Sequence, residues 1–185
     1  METATMTKTK WNLDPAHSEI GFKVKHMMIT NVSGSFQKFD AKVETTGSDF
    51  TTAQIDFTAE VNSISTVNAD RDNHLKSADF FDAAHHPQIK FQSTKIEKKD
   101  DENYIAHGNL TIRDVTKPVK FNVEFGGIGK DPWGNEKAGF TISGKINRTD
   151  YKLNWNAALE TGGVLVGEEV KLFGEIQLIK DVSSQ

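Results

Sequence analysis

No cysteine occurs in the 185 residues. Disulfides, thiolate metal sites, iron–sulfur clusters and a cysteine nucleophile are thereby excluded, while the redox compartment stays open. No segment approaches the ~20 consecutive apolar residues of a membrane-spanning helix. The opening METATMTKTK is polar and lacks the apolar stretch of a secretory signal. As given, the chain is expected in the cytoplasm, or in the periplasm if a leader is removed from a longer precursor. Positive charge is in short supply too. A net charge of −4 and a pI near 5.9 argue against a phosphate backbone as partner, so no nucleic-acid binding is expected.

Arginine is the scarcest cation: nineteen of the twenty-two are lysine, and the remainder are Arg71, Arg113 and Arg148. Each is followed within two residues by an aspartate (Asp72, Asp114, Asp150). Where a surface needs any cation, this chain uses lysine. The three arginines are therefore expected where a planar fork of donors meets carboxylates or carbonyls, a structural role shared with Asp72.

What the chain does have is alternation. In SEIGFKVKHM, Ile20, Phe22, Val24 and His26 alternate with polar residues or glycine, and QIDFTAEV, PVKFNVEF, GFTISGKI and EVKLFGEIQLIK repeat the pattern. Less regular strands are predicted in GSFQKFDAKVET, QIKFQS and NYIAHGNLTI, for about eight in all. Short turns such as KKDDEN and RDVTKP, and the longer GGIGKDPWGNEK, imply antiparallel neighbours. Eight one-sided strands make either a two-sheet sandwich or a closed barrel, and closure removes the edge strands. One globular domain accommodates them all.

The stretch NADRDNHLKSADFFDAAHHP (68–87) breaks the β pattern. Asn68 is placed to cap a helix, Asp70 and Asp72 suit its first turn, and Ser77 caps a second turn carrying Phe80 and Phe81. His86 precedes Pro87, which ends helical backbone there. Arg148–Leu159 is the other stretch with helical character.

The charged stretch does not spell a known chemistry. Asp70 and His74 would share a helical face, but two ligands do not make a metal site, and adjacent His85 and His86 diverge. His17, His26 and His107 lie on or near strands without a nucleophile elbow or triad order. GGIGKDPWG lacks the GK[ST] ending of a phosphate loop. A third reading concerns the strand faces, where Phe22, Phe57, Phe91, Phe121, Phe125 and Phe140 mix with Ala41, Ala59, Gly144 and Gly174. Small residues among rings leave either a long apolar slot or an ordinary interdigitated core.

Six ordered motifs decide between these. WNLDPAHSEIGFKVKHM (11–27), VSGSF (32–36), SIST with RDNHLKSADFFD (63–82), HPQIKFQS (86–93), GNLTIRDVTKPV (108–119) and INRTDY (146–151) together resemble the YceI-like family, from Trp11 to Lys180. The resemblance implies an all-β fold: an extended eight-stranded antiparallel lipocalin-like β-barrel with a short helical segment near one end. It would occupy residues 11–182, behind a disordered tail at 1–10. It also implies a polyisoprenoid, isoprenoid quinone or fatty-acid derivative held in the barrel without catalysis and with no other cofactor. Family members are often periplasmic and several are dimeric, so a homodimer is in view. The chain departs from the family pattern at Asp114 and Lys152, where glycine is usual; Asp114 is expected in a left-handed turn position, and the backbone at Lys152 is expected to differ.

With a slot expected, strand parity nominates its wall: Phe22, Val24, Phe39, Ile55, Phe57, Phe91, Phe121, Phe125, Phe140, Ile142, Leu172 and Ile176. The stretch 68–87 becomes a plug across one barrel end, with Leu75, Phe80 and Phe81 toward the lumen and Arg71 and the aspartates tied to neighbouring loops through Arg113 or Arg148. Two rivals stand beside this reading. One is a histidine-dependent metal-binding or hydrolytic protein using Asp70–His86, and the other is a filled barrel acting through its surface.

Overall fold

The computed structural model describes residues 7–157, 159 and 163–182. Among them run eleven strands: β1 (Lys8–Leu13), β2 (Glu19–His26), β3 (Thr30–Phe36), β4 (Phe39–Thr46), β5 (Asp49–Glu60), β6 (Ile64–Ser65), β7 (Gln88–Lys98), β8 (Asn103–Ile112), β9 (Val115–Lys130), β10 (Glu136–Asn147) and β11 (Val166–Lys180). One helix, α1 (Ala69–Lys76), lies between β6 and β7. β1, β4, β5, β7, β8, β9, β10 and β11 pair in that order, and β11 returns to β1 through Trp11 opposite Lys180. The result is the closed eight-stranded antiparallel barrel expected, with no free edge along that circuit.

Three strands exceed the predicted eight: β1, which precedes the first predicted run, the division of one run into β3 and β4, and the two-residue β6. β1 and β2 are halves of one path, kinked by a 3₁₀ turn at Pro15–His17 that Asp14 caps. Both halves pair with β11, β1 near its C-terminal end and β2 nearer its N-terminal end. GSFQKFDAKVET likewise divides between β3 and β4 at Gln37-Lys38, with β3 pairing to β2 and β4 to β1. The stretch 1–10 is not tail throughout, since Lys8–Lys10 already pair with Glu44–Thr46; residues 1–6 lie outside the described residues.

Asp14 holds the kink. It accepts from Ala16 N (3.2 Å), His17 Nδ1 (2.8 Å) and Lys137 Nζ (2.9 Å). Burial opposes its charge, but these donors outweigh burial and hold the carboxyl below the usual carboxylate range.

Segment 61–87 leaves β5, pairs with β3 through β6 and returns through α1 to β7. Asn68 caps α1 by accepting from Arg71 N at 3.0 Å, as its position predicts. The helical reading of Arg148–Leu159 needs correction. Regular structure there is one 3₁₀ turn, Arg148–Tyr151, ended by Lys152 at φ 66°; residue 158 lies outside the described residues.

Both departures from the family pattern stand at or beside left-handed residues. Lys152 itself takes the conformation that glycine favours. In the β8–β9 turn the positive φ falls on Arg113 (56°), not on Asp114. Lys152 Nζ and Asp114 Oδ2 form an exposed ion pair at 3.2 Å.

Two hydrophobic clusters fill the barrel unequally. At the end away from α1, Trp11, Leu13, Val43, Phe50, Ala138, Ile176 and Leu178 pack together. Phe50 is the hub, with ring centroids 5.2 Å from Trp11, 5.3 Å from Phe125 and 5.0 Å from Phe140. The other cluster joins the strands to the plug through Val61, Ile64, Phe80, Ala83, Tyr151 and Leu153.

Candidate functional site: an apolar tube in the barrel

Between the two clusters lies a cavity of about 570 Å³, well within the range of small-molecule sites. Its wall is almost wholly carbon. Along β11 the lining runs from Val166 to Leu178, roughly 40 Å of strand, or about 30 Å along the axis at the usual barrel tilt. That volume spread over that length makes a narrow tube, suited to one extended chain.

Thirteen of the fifteen residues expected at the ligand line it: Phe22, Val24, Ile55, Phe57, Leu75, Phe80, Phe81, Phe91, Phe121, Phe140, Ile142, Leu172 and Ile176. Phe39 and Phe125 do not. Phe125 is spent in the far-end cluster, stacked on Phe140 at 5.3 Å, and a register shift opposite Gly139/Phe140 ends the plain alternation beside it. Phe39 begins β4 at the break and packs against Phe57 at 6.1 Å. Parity could have found Phe36, Ile89 and Leu110, which also line the tube. Leu153 and Trp155 line it from an aperiodic loop, and no pattern points to them.

Glycine opposite a ring keeps the bore open. A Cβ on Gly144 would come within 2.6 Å of Phe121 Cδ1, so the ring lies against the neighbouring strand instead of across the lumen. Phe121 then meets Phe91 edge to face at 5.3 Å. This is the slot alternative, realised by small residues beneath large ones.

The polar residues of the wall gather at the α1 end: Lys25, His26, Thr66, Asp70, Arg71, His74 and Arg148. The fork geometry expected of the arginines is present, aimed at carbonyls, at one hydroxyl and, for Arg113, at the Asp82 carboxylate 4.0 Å away. Arg71 donates Nε to Thr66 Oγ1 (2.7 Å) and Nη2 to Thr66 O (2.8 Å), and Asp72 accepts from Thr66 N and Oγ1. The plug is thus clasped to the residue after β6 by Arg71 and Asp72, and of the two more distant arginines Arg113 is the one that ties it to a neighbouring loop. Arg113 reaches the carbonyls of Phe80 and Lys152 at 3.2 and 3.3 Å, tying the plug to the 3₁₀ turn. Arg148 is buried and donates to the carbonyls of Leu153, Gly167, Trp155 and Val166. Burial lowers its pKa.

Two of the three histidines of the charged stretch have a local occupation. His74 bonds Asp79 at 2.8 Å and stands edge-on to Phe80 and Trp155. His85 bonds Asp82, whose carboxyl is held below its ordinary range first by that bond and further by Arg113. Among the described residues no group of three or more His, Asp or Glu stands close enough to hold a metal ion. His17 serves Asp14, and half-buried His107 pairs with Glu97 across β7 and β8.

A family model described as the YceI-like domain matches residues 11–178. A UPF0312 protein of Staphylococcus epidermidis is 43% identical over 164 residues, covering 88% of this chain and 93% of that one. The crystal structure of a Campylobacter jejuni YCEI protein is similar with a TM-score of 0.73 and 34% identity, covering 98% of this chain and 99% of the other. A polyisoprenoid-binding domain from Saccharophagus degradans, implicated in plant cell wall breakdown, shares the fold with a TM-score of 0.64 at 12% identity, covering 92% and 98%.

Proposed function

This chain belongs to the YceI-like family, and from that premise we propose that it binds a single long apolar lipid, a polyisoprenoid, isoprenoid quinone or fatty-acid derivative, inside the barrel and carries or stores it without chemical change. The observation that carries this reading is the tube itself, a narrow lumen lined by rings and branched aliphatics with almost no polar surface. The polyisoprenoid for which the Saccharophagus domain is named belongs to the same chemical class. A wall of carbon selects by chain length. Each methylene moved from water is worth ~0.8 kcal/mol, about fourfold in affinity. About ten such units are needed merely to offset ~8 kcal/mol of lost translational and rotational freedom, a cost estimated at about 4–15 kcal/mol. Chains long enough to fill the tube are therefore the ones held tightly.

The histidine-dependent alternative has no arrangement in its favour, since His74 and His85 are each engaged by a neighbouring aspartate. Uptake of a fluorescent polyene fatty acid, delivered from ethanol, separates the two readings. Phe57→Asp with Phe121→Asp places two carboxylates in the wall and abolishes uptake, whereas His85→Ala with His86→Ala leaves it nearly intact. The reverse pattern would move the site to the histidines.

A further inference from the structure

The end of the barrel that carries α1 is fringed with apolar side chains the fold does not use. Five of the eight exposed large hydrophobics among the described residues are there: Met27, Met28 and Ile29 on the β2–β3 hairpin, Val67 on the turn into α1, and Val164 before β11. Ile29 is 74% exposed and Val67 97%. Each tip adjoins the cavity wall, because His26, Thr66 and Leu165, the chain neighbours of Met27, Val67 and Val164, all line the tube. The tips are also joined to one another. Met27 N donates to Leu165 O at 2.8 Å, and a Cβ on Gly163 would sit 3.4 Å from Met28 Cγ.

Three of these residues are wrong for their backbone as well as for water. Met27 and Met28 have φ of 54° and 65°, the two-residue hairpin geometry that Asn-Gly adopts at least cost, closed by Ile29 N to His26 O at 3.2 Å. Val67, β-branched, has φ 60°, a genuine outlier for its type. Polar turn residues would satisfy both conformation and solvation at these positions. Local rules broken together at one rim mark a functional surface.

We propose that this crown inserts into the surface of a lipid bilayer, so that cargo passes between membrane and tube without crossing water. The proposal rests on the lipid-binding reading of the tube. A bilayer is the occupant these residues favour: a few apolar side chains exposed at one rim can enter the headgroup region together, whereas a second protein copy needs a self-complementary face of ~1,000 Å² or more in total. Lys25, exposed beside the hairpin tip, can extend its ammonium to the headgroups while its stem stays on the apolar side.

The test compares the wild-type chain with a Met27→Asn, Met28→Gly, Val67→Asn variant, none of whose altered residues lines the tube. Flotation with phosphatidylcholine vesicles should recover the wild type and fall by about tenfold or more in the variant. Transfer of the polyene fatty acid from those vesicles should slow in parallel, while uptake of the same probe from ethanol stays equal and the variant melts higher. Wild type that takes up the probe from ethanol but does not float, or a variant that floats equally, overturns the crown. A wild-type dimer split by the substitutions, with no flotation, overturns it in favour of a second copy. Loss of wild-type uptake from ethanol with flotation intact removes the cargo reading and leaves the membrane contact standing.

Discussion

Replacing Arg148 by methionine should cost about 4 kcal/mol of stability. Arg148 is 3% exposed, and its guanidinium meets four carbonyls, Leu153 at 2.5 Å, Gly167 at 2.7 Å, Trp155 at 3.0 Å and Val166 at 3.2 Å. Hydrogen bonds from a charged donor are worth roughly 1.5–3 kcal/mol each, or about 6–12 kcal/mol for four. Methionine removes the need to bury a charge, which returns several kcal/mol. It also leaves four carbonyls near the rim, some of which water can reach, and the balance is ~4 kcal/mol. For a chain of this length that lowers Tm by roughly 8–16 °C. Lysine keeps the charge but concentrates its donors at one point, so it can satisfy at most about two of the carbonyls, for an intermediate loss of ~2 kcal/mol. Urea unfolding of the three proteins measures both steps. A methionine variant within about 1 kcal/mol of wild type would refute the view that this side chain clamps the loop at 153–155 to the start of β11.

Three further outcomes follow from particular contacts. Gly144→Val should push the Phe121 ring into the lumen, costing about 1–3 kcal/mol of stability and weakening lipid affinity at least about fourfold, one methylene's worth; titration with the polyene probe checks this. Lys152→Gly should stabilise the chain by up to ~1 kcal/mol in thermal melts, since relief of the left-handed backbone outweighs an exposed ion pair worth ~0–1 kcal/mol. Tyr151 is buried with its hydroxyl unpartnered among the described residues, and burial first, then Asp150, pushes its pKa up from 10.0 to about 12. The folded state thus keeps that proton longer than the unfolded one. Its stability is intact below pH 10 and declines as pH rises from 10 toward 12, a decline that Tyr151→Phe should reduce.

The barrel was readable because antiparallel strands with one face inward write period two into the sequence, and β8 coincides with the predicted NYIAHGNLTI. β1 escaped because Lys8–Lys10 bring no apolar residue, so its inward face reduces to Trp11 and Leu13. The division of β3 from β4 escaped because Gln37-Lys38 carries neither glycine nor proline. Parity assigned the inside of the barrel correctly but could not tell an open stretch of lumen from a packed one. Phe125 and Phe121 share a face, yet Phe50, entering from the start of β5, packs on Phe125 and fills that end. Which carbonyls the arginines meet was equally illegible, since Arg113 reaches Phe80 and Lys152, and Arg148 reaches Leu153, Trp155, Val166 and Gly167, acceptors that only the folded loops bring together.

Native mass spectrometry of the protein as purified, with organic extraction of whatever it carries, tests the central claim most directly. The tube predicts one long-chain lipid per chain, lost in the Phe57→Asp, Phe121→Asp variant. A stoichiometric metal ion with no lipid, or a wild-type protein that neither carries nor takes up a long apolar chain, would contradict it.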